Sequence, residues 1–126
     1  MNWGAKMGTG YVITKQGMTM ITHGLAGELK DDGIACNTLW PRTGIQTAAV
    51  KNLLGGDESM AKSRAPEIMA DSAHVILTSE AKLTTDNFFL DDEVLISSGM
   101  TIDDIVTKYS PAKGFALSKL MPDFIC

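Results

Sequence analysis

Tyr11 and Lys15 are the residues of this chain whose types and spacing point most directly to chemistry. Four residues apart on a helix, a phenol and an ammonium share one face and can meet. A phenol titrates near ~10, so at neutral pH it is a poor base unless a fixed positive charge beside it stabilises the phenolate. Lys15 supplies such a charge. Held in a cleft beside a ring that accepts hydride, Tyr11 would take the proton of a hydroxyl while hydride leaves the same carbon, which is alcohol oxidation. The reverse is carbonyl reduction.

Spacing alone is a weak signal. The chain repeats it at Tyr109 and Lys113, but Pro111 lies between those partners, where a helix would lose a hydrogen bond and clash with the preceding turn. That pair reads as a loop coincidence. The first pair sits in a helical setting: Met18, Ile21, Leu25 and Leu29 recur at helical spacing over 11–30, and Lys30, Asp31 and Asp32 before Gly33 read as the helix end. Met1 to Gly10, with Gly4, Gly8 and Gly10, reads as a loop. Gly17, Gly24 and Gly27 each cost about 1 kcal/mol in a helix interior. They imply a close approach to the helix backbone, either by the rest of the chain or by a second subunit.

Further along, 34–39 reads as a short buried strand containing Cys36, closed by Trp40 and Pro41, because proline belongs outside a ladder. A long connection over 42–63 follows. The stretch 64–79 predicts a second helix, with Pro66 in its first turn and Ile68, Met69, Ser72, Val75, Ile76 and Ser79 on one face. Phe88, Phe89 and Leu90 make a second strand. Helix, strand, helix, strand is the repeating unit of an α/β sheet, with a right-handed crossover between parallel strands. Two parallel strands cannot cover both of their faces, so the expected unit is one incomplete domain.

With these elements in place, the order Tyr11, Lys15, a helix containing Leu25, Ala26, Glu28 and Leu29, then Gly33, Ile34, Asn37 and Pro41 resembles the second half of a short-chain dehydrogenase/reductase. Trp40-Pro41-Arg42-Thr43, Thr47-Ala48-Ala49, the run from Asp86 to Asp92 and the ending Met121-Pro122-Asp123-Phe124-Ile125 are similar to the hydroxysteroid dehydrogenase-like subgroup. The resemblance implies the C-terminal portion of a doubly wound, Rossmann-type parallel sheet. Its Gly-rich dinucleotide turn and its catalytic serine and asparagine would lie before Met1. The implied activity is NAD- or NADP-dependent interconversion of an alcohol and a carbonyl, with Tyr11 and Lys15 as the acid-base pair and Lys15 on the nicotinamide ribose. The same resemblance implies that Pro41 borders the nicotinamide, that the Ile45 backbone meets its carboxamide, and that Thr47 binds the amide or the pyrophosphate. The sequence departs from the family at Arg42, where glycine is usual, and in the six-residue step from Pro41 to Thr47, where five is usual.

Implied partners are the missing N-terminal half or a second copy of the chain, together with a small alcohol or carbonyl. A non-catalytic interaction module, or a structural fragment derived from such an enzyme, is the alternative. Leu53, Leu54 and Met60 around Gly55 and Gly56 form either a substrate lid or an ordinary surface loop.

The remaining signals bound the function. A net charge of -4 argues against a nucleic-acid surface. No apolar run approaches the ~20 residues of a membrane span, and the first ten residues lack the pattern of a secretory leader. Cys36 and Cys126 have no metal-ligand spacing, so a reducing, cytoplasmic setting is expected. His23 and His74 read as helix-surface residues, Asn37 as a residue that fixes nearby backbone, and Asp91, Asp92 and Glu93 as a solvated turn. A helical turn is expected over 92–98, and Thr101 with Asp104 resembles a capping box for a short helix through Lys108. The tail 121–125 reads as an apolar docking strap.

Overall fold

The helix expected around Tyr11 forms as α1, Thr9–Leu29, in the computed structural model, which describes residues 8–111 and 120. It starts two residues before Tyr11, directly after Gly8, whose φ of 82° no other residue type adopts easily. It ends in a Schellman turn: the Gly33 N–H donates to the Lys30 carbonyl at 3.1 Å and the Ile34 N–H to the Leu29 carbonyl at 3.3 Å. Gly33 holds the left-handed position this closure needs, at φ 71°.

Beyond the turn, strand β1 is Thr38–Trp40, shorter and later than the expected 34–39. Its length is set by its partner β2, Phe88–Leu90, with which it pairs in parallel, Thr38 opposite Phe88 and Trp40 opposite Leu90. Residues 34–37 fall outside this ladder, and Cys36 and Asn37 bond to the turn before β2 instead. The Cys36 N–H donates to Thr85 Oγ1 at 3.1 Å and the Cys36 carbonyl accepts from the Asp86 N–H at 2.9 Å. Cys36 is therefore half-buried in a loop, and Trp40 is a strand residue that Pro41 terminates. Asn37 fixes backbone as expected, donating to the Thr84 carbonyl at 2.8 Å and accepting from the Asn87 N–H at 3.1 Å.

The connection after β1 is not irregular throughout. It carries two short helices, α2 (Ala48–Leu53), capped by Thr47, and α3 (Gly56–Met60), entered through Gly55 at φ 114°. The second long helix, α4 (Glu67–Leu77), is followed after β2 by α5 (Asp91–Ser97) and α6 (Ile102–Tyr109). The capping box at the start of α6 forms as its sequence predicts: Asp104 N–H donates to Thr101 Oγ1 at 3.2 Å and Thr101 N–H to Asp104 Oδ2 at 3.0 Å. Tyr109 closes that helix and is fully buried, whereas Lys113 lies outside the described residues, as does the tail 121–125.

The core lies away from α1. Ile68 from α4, Leu95 from α5, and Ile105 and Tyr109 from α6 form it, with Ile45, Met69, Val75 and Met100 packed against them. Burying each aliphatic side chain there contributes about 1.5–3 kcal/mol. Polar ties join the same helices. The Tyr109 hydroxyl donates to Asp71 Oδ2 at 2.6 Å, and the Ser72 hydroxyl reaches the Asp91 carbonyl at 2.7 Å. By contrast, Ile13, Met20 and Ile21 on α1 are about two-thirds exposed, at 65%, 67% and 64%. A Cβ added at Gly17, Gly24 or Gly27 meets nothing within 4 Å among the described residues, so packing within the described chain does not account for these glycines.

Candidate active site

Two turns of α1 and strand β1 with Pro41 form the walls of an open cleft of about 360 Å³. Tyr11, Lys15 and Met18 line it from the helix, and Thr38, Leu39, Trp40 and Pro41 line it from the strand. The i, i+4 spacing places Tyr11 and Lys15 on one face, and the Lys15 ammonium stands 5.7 Å from the centre of the Tyr11 ring. Both side chains are half-buried. The indole N–H of Trp40 donates to Thr19 Oγ1 at 3.2 Å, which fixes strand to helix and so fixes the two walls relative to each other. A phenol, a cation and an apolar wall thus share one concavity.

Past Pro41 the chain is held by a charged cluster. Arg64 and Asp91 are both fully buried, and the Arg64 guanidinium donates from Nη2 to the Asp91 carboxylate at 2.9 and 3.1 Å. Its Nε donates to Thr43 Oγ1 at 2.7 Å, while Asp91 Oδ1 also accepts the backbone N–H groups of Arg42 at 3.1 Å and Asp92 at 2.8 Å. The Arg42 side chain in turn grips Asp92 through Nε at 2.7 and 2.8 Å. Burial raises the Asp91 carboxyl above its ordinary range, against the opposing pull of Arg64 and the Arg42 and Asp92 N–H donors. Burial lowers the Arg42 guanidinium, but hydrogen bonds from Asp92 and Glu93 outweigh it and the net direction is up. Removing one partner from a buried pair of this kind costs about 3–5 kcal/mol, because the other charge is left uncompensated.

Asp91 and Asp92 are therefore not part of a solvated turn, whereas Glu93 is exposed as expected. Asp91 is 0% and Asp92 7% exposed, and the three form the first turn of α5, where carboxylates also suit the helix dipole. The two histidines are exposed, as their positions on helices suggest; His23 Nδ1 lies 2.8 Å from Asp86 Oδ1. Among the described residues no group of His, Cys, Asp and Glu is placed to hold a metal ion.

No family model matches the chain. Hydroxysteroid dehydrogenase-like protein 2 of Xenopus laevis is 42% identical over 114 residues, 90% of this chain, and the human protein of that name is 39% identical over the same length. Among solved structures, a short chain dehydrogenase from Mycobacterium thermoresistibile superposes with a TM-score of 0.74 at 46% identity over 92% of this chain. A protein from Xanthomonas campestris described as a dehydrogenase gives 0.76 at 41% identity over 94%. Over at least 90% of its length this chain is similar to short-chain dehydrogenases/reductases. It spans about a quarter of the length of the curated relatives named here, 25%, and 39–40% of the two solved chains.

Within this short-chain dehydrogenase/reductase fold the five residues singled out by sequence separate into two groups. Tyr11, Lys15 and Pro41 line the cleft; Ile45 and Thr47 do not. Ile45 packs its side chain against the core and pairs with Arg64 in an isolated parallel bridge. Thr47 is exposed and caps α2, its hydroxyl accepting from the Val50 N–H at 3.3 Å. Leu53 is 81% exposed on α2, away from the core. Arg64 and Asp91, which organise the loop after Pro41, were not legible as a pair. The available signal was compositional: the chain has two arginines, both bordering the connection, and a triple acidic run directly after an apolar strand.

Proposed function

We propose that this chain carries the acid-base half of an NAD- or NADP-dependent oxidoreductase that interconverts an alcohol and a carbonyl, and that a dinucleotide-binding segment supplies the other half of the site. The observation that carries the reading is the Tyr11 and Lys15 pair on one wall of a cleft whose opposite wall ends at Pro41. The similarity to short-chain dehydrogenases supports it. The exposed apolar face of α1 and the two-stranded sheet support a unit that works joined to further strands.

The residues present suit a nicotinamide dinucleotide. The Lys15 ammonium stands at the cleft, where it would donate to ribose hydroxyls. The bridge to Arg64 engages the Gly44 carbonyl and the Gln46 N–H, so the Ile45 N–H and carbonyl point away from Arg64, where they would meet a carboxamide brought to that side. The bound nucleotide would supply or accept the hydride. The Tyr11 hydroxyl would give its proton to the carbonyl oxygen in reduction and take it back in oxidation, with Lys15 stabilising the phenolate between. Thr47 would keep its capping role while its hydroxyl proton stays available to an amide or phosphate oxygen.

Binding of NAD and NADP to the chain, alone and joined to its dinucleotide-binding segment, tests the proposal. Turnover of a secondary alcohol by the joined form that depends on Tyr11 supports it. Nucleotide binding without any Tyr11-dependent turnover would favour an interaction module instead.

A further inference from the structure

The segment after Pro41 is held almost atom by atom from one side. Arg42 gives its N–H to Asp91, Thr43 accepts from Arg64 Nε, the Gly44 carbonyl accepts from the Arg64 N–H at 2.8 Å, and the Gln46 N–H donates to the Arg64 carbonyl at 2.9 Å. Among the described residues Ile45 alone in this run makes no such bond, and its side chain packs against the core. One arginine and one aspartate, both fully buried, thus set the direction in which the Ile45 peptide faces.

The cluster is not the arrangement that stability alone would select. Arg64 Nη1 is buried without a hydrogen-bond partner among the described residues, with Asp92 Oδ2 3.7 Å away. A well-packed apolar group would brace the same space without burying a charge. What an apolar group cannot do is bond the Arg42 N–H and the Thr43 hydroxyl at fixed directions, as the Asp91 carboxylate and the Arg64 Nε do beside the Arg64 backbone bonds to Gly44 and Gln46.

From this geometry we infer that Arg64 and Asp91 are positioning residues that aim the Ile45 peptide at the carboxamide of the bound nicotinamide. The inference rests on the oxidoreductase reading above and adds to it the residues that discriminate a complete nicotinamide dinucleotide from the same nucleotide lacking the nicotinamide ring. Arg64 and Asp91 touch neither cofactor nor substrate. They act by holding the loop.

The test uses Asp91→Asn and, as milder changes, Thr43→Val with Thr43→Ser as its conservative control. In the chain itself, amide exchange at Arg42 and Gln46 should rise about tenfold in Asp91→Asn and in Thr43→Val, while Ile105 in the core stays unchanged and Thr43→Ser behaves as wild type. In the joined enzyme, the affinity for NAD(P) relative to ADP-ribose should fall about tenfold in the first two variants, the effect of one or two lost hydrogen bonds, and recover in Thr43→Ser. Equal weakening of both nucleotides, or unchanged exchange and an unchanged ratio, would overturn the inference. Tyr11→Phe separates the two levels. If it abolishes turnover while the nucleotide ratio ignores Asp91 and Thr43, the positioning role alone fails; if turnover survives it, the oxidoreductase assignment of Tyr11 fails.

Discussion

The Lys15 ammonium stands 5.7 Å from the centre of the Tyr11 ring, one turn further along α1 and on the same wall of the cleft. Tyr11→Phe keeps the ring and removes only the ionisable oxygen. In the joined enzyme it should leave nucleotide binding near normal and lower turnover by ~100-fold to 10,000-fold, the usual loss for a general acid-base group. Lys15→Met should damage both quantities. Steady-state kinetics with a secondary alcohol, with chemistry rate-limiting, checks this; wild-type turnover in Tyr11→Phe would remove the assignment.

Ile13, Met20 and Ile21 leave an apolar face on α1 that the described residues do not cover. The isolated chain is expected to bind a hydrophobic dye and to unfold without a sharp cooperative transition. Joining the strands that complete the sheet should suppress dye binding. A steep, single thermal transition of the purified monomer would contradict this.

Ile68 is fully buried at the centre of the α4, α5 and α6 core. Ile68→Ala should destabilise the joined protein by about 2–5 kcal/mol, the transfer and cavity cost of that truncation. Ile13→Ala, on the exposed face of α1, removes a similar volume and should cost far less in the isolated chain. Denaturant titration compares them.

Asp71 joins α4 to α6 and titrates below its ordinary 3.8, held down first by the Lys108 ammonium and then by the Tyr109 hydroxyl. A depressed carboxyl contributes stability that is present above its unfolded value and lost as pH falls through its folded one, so this tie fails only on the acid side of 3.8. Tyr109 moves the other way: burial first, then Asp71, raises it above 10.0, so its contribution is complete below that pH and lost as pH rises through the folded value. Tyr109→Phe should shift Asp71 upward without restoring 3.8, because Lys108 remains. Carbon NMR titration of the Asp71 carboxyl reads the shift directly, and an unmoved titration would show that the hydroxyl does not act on it.

Much of the local structure was legible because it depends on interactions a few residues long. Helical spacing of apolar residues placed α1 and α4 within two or three residues of their ends, and the Thr101 and Asp104 box specified the start of α6. The Tyr11 and Lys15 juxtaposition followed from the helix period alone. The resemblance was readable for the same reason: its most specific residues lie close together between Tyr11 and Pro41.

What sequence could not decide is fixed by contacts between distant parts of the chain. The extent of β1 depends on how much of 34–40 finds β2 beside it, which is three residues, so Cys36 and Asn37 bond to a turn about fifty residues away instead. Asp91, Asp92 and Glu93 look solvated because three adjacent carboxylates ordinarily repel and seek water. Here Arg64, 27 residues before Asp91, and Arg42, 50 before Asp92, bring the opposite charge into the interior. The spacing of Tyr11 and Lys15 determined which groups face together. Only the packing of Trp40 against Thr19 and the burial of Arg64 with Asp91 decided which cleft they face and how the loop beside it is held, because a side chain's charge is a local property and its compensation is not.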